Sequence, residues 1–236
     1  MGRYPYPESN QPDSVERGWR SPTQRPSTRA LHLATYYTSA TQVRQQVMQA
    51  VKRRDYRHAI AMLSCLISCH PDSAADYSNR GLIYFWSGQP SRALKDLNRA
   101  IALNPELAGA YNNRANYHAA QGDLEMALRD YDQAIDLDPF HAQARINRAV
   151  TLRELGYYAD ALEALDETLV FHQLTGEIYA ERGRTYHLVG EWNAAIADYR
   201  QALRLLAKST DSNKPLALAS KRLQLRTWLA QLQLMA

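Results

Sequence analysis

Apolar and polar positions along this chain keep a period of 34 residues: Ala59, Ala93, Ala127, Ala161 and Ala195 each stand one period apart. Residues 74–141 show two full periods back to back. In the first, Tyr77, Gly81, Tyr84, Gly88, Ala93, Leu97, Ala100 and Pro105 fall at positions 4, 8, 11, 15, 20, 24, 27 and 32. In the second, the same positions hold Tyr111, Ala115, His118, Gly122, Ala127, Tyr131, Ala134 and Pro139. Positions 4, 8 and 11 share one face of a helix, and 20, 24 and 27 share one face of another. Small side chains at 8 and 20 let the two backbones approach, while large ones at 4, 11 and 24 fill the flanks. Gly at 15 supplies the positive φ that ends the first helix. Pro at 32 cannot continue the second.

The period predicts an all-α chain of five helical hairpins, at 40–73, 74–107, 108–141, 142–175 and 176–209. The first is degenerate: Val43, Val47, Ala50, Ala59, Leu63, Ile67 and Pro71 hold the frame, but Arg54 stands at the Gly position. A terminal unit with one unpaired face is expected to differ in this way. The fourth and fifth lack the closing Pro, having Gln173 and Ala207, which predicts a looser junction near Phe171-His172-Gln173. Before the array, residues 1–39 hold five of the ten prolines and little periodicity, and read as a largely disordered basic arm with helix onset from Leu31. Tyr4, Tyr6 and Trp19 in that arm are candidate anchors of a short binding motif. After the array, residues 210–236 read as a linker and a capping helix from Pro215, with Leu225, Trp228, Leu229 and Leu232 as its apolar stripe. The surplus of that helix, with Leu234 and Met235, is a candidate contact for a partner or a second copy.

These residues resemble the tetratricopeptide repeat family over about 40–207. The resemblance implies a right-handed α-solenoid whose first helices line a concave groove for a partner peptide or helix, through positions 2, 5, 6, 9, 12 and 13 of each unit. Carried onto this sequence, the wall is graded. The first two units contribute Arg44, Met48, Val51, Lys52, Asn79, Leu82, Phe85 and Trp86. The next two contribute Asn112, Asn113, Asn116, Asn147 and Arg153, and the fifth Arg184. Folding does not require apolar residues at positions 12 and 13, so Phe85-Trp86 reads as an anchor pocket, or as packing against the neighbouring helix or the N-terminal arm. The asparagines offer a donor and an acceptor each, which suits the main chain of a guest. The carboxylate clamp of chaperone-tail binders is disfavoured: beside Arg44 stands Met48, and the last units offer Glu177 and Glu181 where cations are needed.

Net charge is +4, too small by itself to argue for nucleic acid. The charge sits at the ends: +2 over 1–39, −2 over 40–207 and +4 over 208–236. An RNA or anionic-membrane binder working through those ends is therefore an alternative to the groove adaptor. A further alternative is an assembly factor for a membrane complex, because the Asn-Arg-Gly/Ala helix starts and the short array are similar to assembly factors of photosynthetic complexes in cyanobacteria and plastids. No Gly-rich phosphate loop or catalytic constellation is present, so the chain reads as non-enzymatic, without cofactor. His58, Cys65, Cys69 and His70 are the best metal candidates, yet Cys69 reads as a small buried hydrophobe and no metal is expected. The N-terminus has no apolar run of the signal-peptide kind, and a soluble, cytoplasmic protein is expected. Arg80, Arg114, Arg148 and Arg182 recur at position 7, with Asp96, Asp130 and Asp198 at position 23, which predicts Arg–Asp pairs within or between units.

Overall fold

The computed structural model describes residues 28–170, 175–208 and 215–235. The expectations for Tyr4, Tyr6 and Trp19, for the 171–173 junction and for the side chains of Leu234 and Met235 lie outside what is described. Among the described residues there are eleven helices and no strand: α1 (Thr28–Lys52), α2 (Tyr56–Cys69), α3 (Ala74–Trp86), α4 (Pro90–Leu103), α5 (Ala108–Gln121), α6 (Leu124–Leu137), α7 (Ala142–Glu154), α8 (Tyr158–Leu169), α9 (Thr175–Val189), α10 (Trp192–Lys208) and α11 (Pro215–Met235). Residues 40–236 cluster as one compact unit. Helix α1 starts at Thr28, so 28–39, grouped by sequence with the Pro-rich arm, carries helical backbone.

Each hairpin closes as the period requires. The five position-20 alanines are fully buried. A Cβ added at Gly81 would lie 2.9 Å from Leu97 Cγ, and one at Gly183 would lie 2.9 Å from the ring of Tyr199. In units two and five positions 8 and 24 therefore touch directly, which is why position 8 is glycine there. Each hairpin then packs on the next: α2 on α3, α4 on α5, α6 on α7 and α8 on α9. The result is an all-α solenoid of helical repeats.

Arginines staple the stack. Arg80 donates to Asp96 through Nε and Nη2 at 2.6 and 3.0 Å, and through Nη1 to Ser64 of the preceding unit. Arg114 repeats this with Asp130 and Asn98, and Arg182 with Asp198 and Asp166. Each forked guanidinium thus joins its own second helix to the second helix before it. Asp96, Asp130 and Asp198 are buried, so these pairs are more than surface trim. Arg80 and Arg114 are held ionised beyond their ordinary range, chiefly by hydrogen bonds to Asp96 and Asp130, against the opposing effect of burial.

Unit four breaks the pattern. Its position 23 is Ala164, and Arg148 instead holds the exposed Asp132 of the unit before. Ala164→Asp is expected to complete the staple and add about 1 kcal/mol of stability. Thermal unfolding followed by circular dichroism checks this; an unchanged or lower midpoint counts against the staple.

Helix α11 covers the last hairpin. Leu225 and Leu232 are fully buried, and Trp228 stacks on Tyr199 with ring centroids 5.6 Å apart. Arg222 donates to the Leu206 carbonyl near the end of α10. Burial pushes the Tyr199 hydroxyl up to about 12, against the opposing charge of Arg184.

Candidate functional site

The odd-numbered helices α3, α5, α7 and α9 touch in succession, while the even-numbered ones come less close to each other. The odd helices therefore form the inner side of the curve. Two pockets open between them. The first, of about 210 Å³, is bordered by Val47, Met48 and Val51 of α1, Leu63 of α2, and Asn79, Leu82, Ile83 and Trp86 of α3, with Arg44 at its edge. The second, of about 310 Å³, lies between Phe85 and the wall of α5 and α7, with Asn116, Tyr131, Asn147, Val150 and Glu154. Adjacent residues Phe85 and Trp86 thus serve different pockets.

The apolar character of the first pocket has a local cause. Val47 and Ile83 belong to the core shared by α1, α2 and α3, and Val51 packs against it. Met48, one residue further round α1, and Trp86, at the last position of α3, fall off that stripe. They stay 59% and 47% exposed. The Trp86 ring is tilted against Tyr56, with centroids 6.4 Å apart, so it leans on the neighbouring helix and leaves the rest of its face open. Phe85 meets Tyr117 edge-on at 6.3 Å.

The asparagine row is largely satisfied within the protein. Asn147 donates to Asn116 at 2.9 Å and to Asn112 at 3.4 Å, and its own oxygen accepts from Gln143. Asn116 also accepts from the Tyr131 hydroxyl at 2.7 Å. Asn113 donates to Ser78 at 3.0 Å, and Asn112 is buried. The row is thus a ladder between successive first helices, because position 6 of one unit lies over positions 5 and 9 of the unit before. Asn79, by contrast, is exposed beside the first pocket.

The wall's arginines are also engaged. Arg44 forks onto Asp76, with Nε and Nη2 at 2.8 and 2.7 Å from the two carboxylate oxygens. Asp76 is fully buried and also accepts from the Ser73 hydroxyl. Burial alone would push its carboxyl up, but the hydrogen bonds from Arg44 and Ser73 and the charges of Arg44 and His70 prevail. The carboxyl is held below the usual range. Asp76 was missed by sequence reasoning because position 3 holds an acid in this unit alone. Arg153 donates to the backbone and side chain of Glu181, which Lys221 of α11 also approaches at 3.4 Å. Arg184 lies over the Trp228 ring, 4.7 Å from its centroid. Burial and the charge of Arg184 lower the affinity of His187 for a proton. At unit five, then, α11 sits on inner-wall residues. Lys52 is exposed at the other end.

Cys65 and Cys69 are both exposed, which corrects the expectation of a buried Cys69. Cys69 is the last residue of α2, beyond its buried stripe of Ala59, Leu63, Leu66 and Ile67. Among the described residues, no three or more His, Cys, Asp or Glu stand close enough to hold a metal ion. No described helix is long and apolar enough to cross a membrane.

Stacked hairpins with an open, partly apolar inner wall define a protein-interaction scaffold of the helical-repeat class. The chain belongs to the tetratricopeptide repeat family, whose descriptions match residues 49–116, 108–141 and 176–205 and together span more than half of it. Its fold is similar to that of TTC0263, a thermophilic TPR protein of Thermus thermophilus, with TM-score 0.68 and 20% identity over 81% of this chain and 99% of that one. PilW, a type IV pilus biogenesis factor, is similar with TM-score 0.65 and 18% identity over 84% and 91% of the two chains. Pseudomonas aeruginosa pilF gives 0.61 and 19%, also over 84% and 91%. At these identities the likeness is one of fold. Comparison with curated proteins gave no match.

Proposed function

We propose that this chain is a non-enzymatic adaptor that holds a segment of a partner protein in the groove of units one to four, with an apolar side chain of the guest seated against Trp86. The observation that carries this is the first pocket: Met48 and Trp86 are large, apolar and open to solvent at positions that folding leaves free. A buried aromatic contact of this kind can dominate a binding energy. The Asn ladder supports the reading in a revised way. It holds the wall in one shape before the guest arrives, which lowers the ordering cost of binding, and leaves Asn79 as the exposed amide beside the anchor. Service as an assembly factor for a membrane complex, the narrower role raised by the sequence, would use the same groove.

Trp86→Ala tests this. The variant is expected to keep the helical signal and lose no more than about 1 kcal/mol of stability, because half of the ring is already in water. It is expected to weaken capture of a bound segment by about 2 kcal/mol or more, roughly thirtyfold. Affinity measurement beside thermal melting reads both. Unfolding of the variant would place Trp86 in the core and end the proposal.

A further inference from the structure

We infer that the guest segment is acidic next to its apolar anchor, and that its carboxylates are received by arginines at the helix turns of units one and two. This rests on the groove reading above and adds the chemistry of the guest.

The cations stand at the end of the hairpins where Trp86 closes α3: Arg53 and Arg54 follow α1, and Arg57 and Arg92 lie in the first turns of α2 and α4. Val51 borders that pocket from the last turn of α1, and the chain runs directly on into Arg53 and Arg54. On the other side of the turn Tyr56, the ring that meets Trp86, is followed by Arg57. Arg57 and Arg92 border a further cavity of about 350 Å³ with Ile60, Tyr84, Ser87 and Gln89, and no Asp or Glu lines it. Arg53, Arg54 and Arg57 are exposed and make no ion pair among the described residues. Asp55 is the sole acid within 52–57, and its carboxylate caps α2 by accepting from the His58 amide. Arg44 is spent on Asp76 and adds nothing here.

Arg54 adds an independent observation. It has φ 59°, whereas the same position in the other four units is Gly with φ between 74° and 86°. An L-residue is strained in this region and glycine is not. Where the other units hold glycine, Arg54 places a charged side chain at the turn that follows Val51 of the anchor pocket. The opposite charge lies further along the wall, where Glu154 borders the second pocket. An acidic guest would therefore place its acidic end at unit one, with like charges kept apart at unit four.

A library of short random peptides selected on the full-length chain tests the inference. Recovered peptides are expected to carry Asp or Glu beside an aromatic or aliphatic residue. A synthetic representative should bind Arg57→Gln/Arg92→Gln about tenfold more weakly at low salt, and lose affinity on the wild type as salt rises. Arg54→Gly should bind it more weakly while melting at the same or a higher temperature, an outcome that a purely structural arginine would not give. Peptides without acidic bias, or unchanged affinity in the double arginine variant, overturn the inference. The groove reading then survives if Trp86→Ala still abolishes binding. Recovery of no peptide, or equal binding by Trp86→Ala, overturns both. So does equal arginine-dependent binding of a uridine oligonucleotide or of phosphatidylserine vesicles, since the arginines would then be a general cationic patch.

Discussion

Arg44→Met is expected to cost the N-terminal hairpin about 3 kcal/mol, the low end for breaking a buried pair by removing one partner. Asp76 is fully buried, and Arg44 supplies two of its hydrogen bonds. Without Arg44, the Ser73 hydroxyl still donates to that carboxylate. Loss should be concentrated in α1 and α2, because repeat arrays are held together between neighbours. Hydrogen exchange resolved by helix reads this directly. Adding Asp76→Asn should recover much of the loss, since it removes the stranded charge while an amide oxygen still accepts from Ser73. The pH dependence has a definite sign. The folded carboxyl is held below its unfolded range, so its stabilising contribution is present above about pH 4 and is lost as pH falls through the folded value. In Arg44→Met burial dominates instead and the carboxyl rises, so acid relieves that variant. The stability gap between the two proteins should therefore narrow on going from neutral to acid pH. A gap that stays constant would mean that Asp76 is not the group responsible.

A loss of similar size, about 3 kcal/mol, is expected for Arg182→Met at the other end. Arg182 forks onto the buried Asp198 and reaches Asp166 of the unit before. The hydrogen bond to Asp198, opposed by burial and helped by Asp166, holds its guanidinium ionised well beyond the ordinary range. Asp198 adjoins Tyr199, the residue on which Trp228 stacks, so loosening should spread from α9 and α10 into α11. Arg182→Lys should not restore the wild-type value, because an ammonium cannot bridge both oxygens of Asp198 and Asp166 at once. Urea unfolding of both variants checks this, and losses below about 1 kcal/mol in Arg182→Met would reduce the pair to the rank of surface ion pairs.

The repeat itself made most of the frame legible. Hairpin positions, buried alanines and the Arg–Asp register recur, so a regularity in sequence maps onto a regularity in space. What does not recur was hidden. Asp76 is an acid at a position where the other units hold Gln42, Ala110, Ala144 and Ile178, and nothing in the spacing pairs it with Arg44. The Asn row was visible as a row, but its mutual satisfaction depends on the offset with which one first helix lies over the next. That offset is set by packing, not by period. Trp86 was legible as an oddity at position 13, and the structure adds what it leans on and what it leaves open.

The closed end of the array has a bearing on how long a guest can be. Glu181 and Arg184, which would extend the trough into the last hairpin, lie under Lys221 and Trp228. On the proposed function a polypeptide in this trough would meet α11 at that side, so its excess length would extend toward Met48 and Trp86. On the proposed function the scaffold would be one-way: it would set not only where a guest lies but also the direction in which its remainder points.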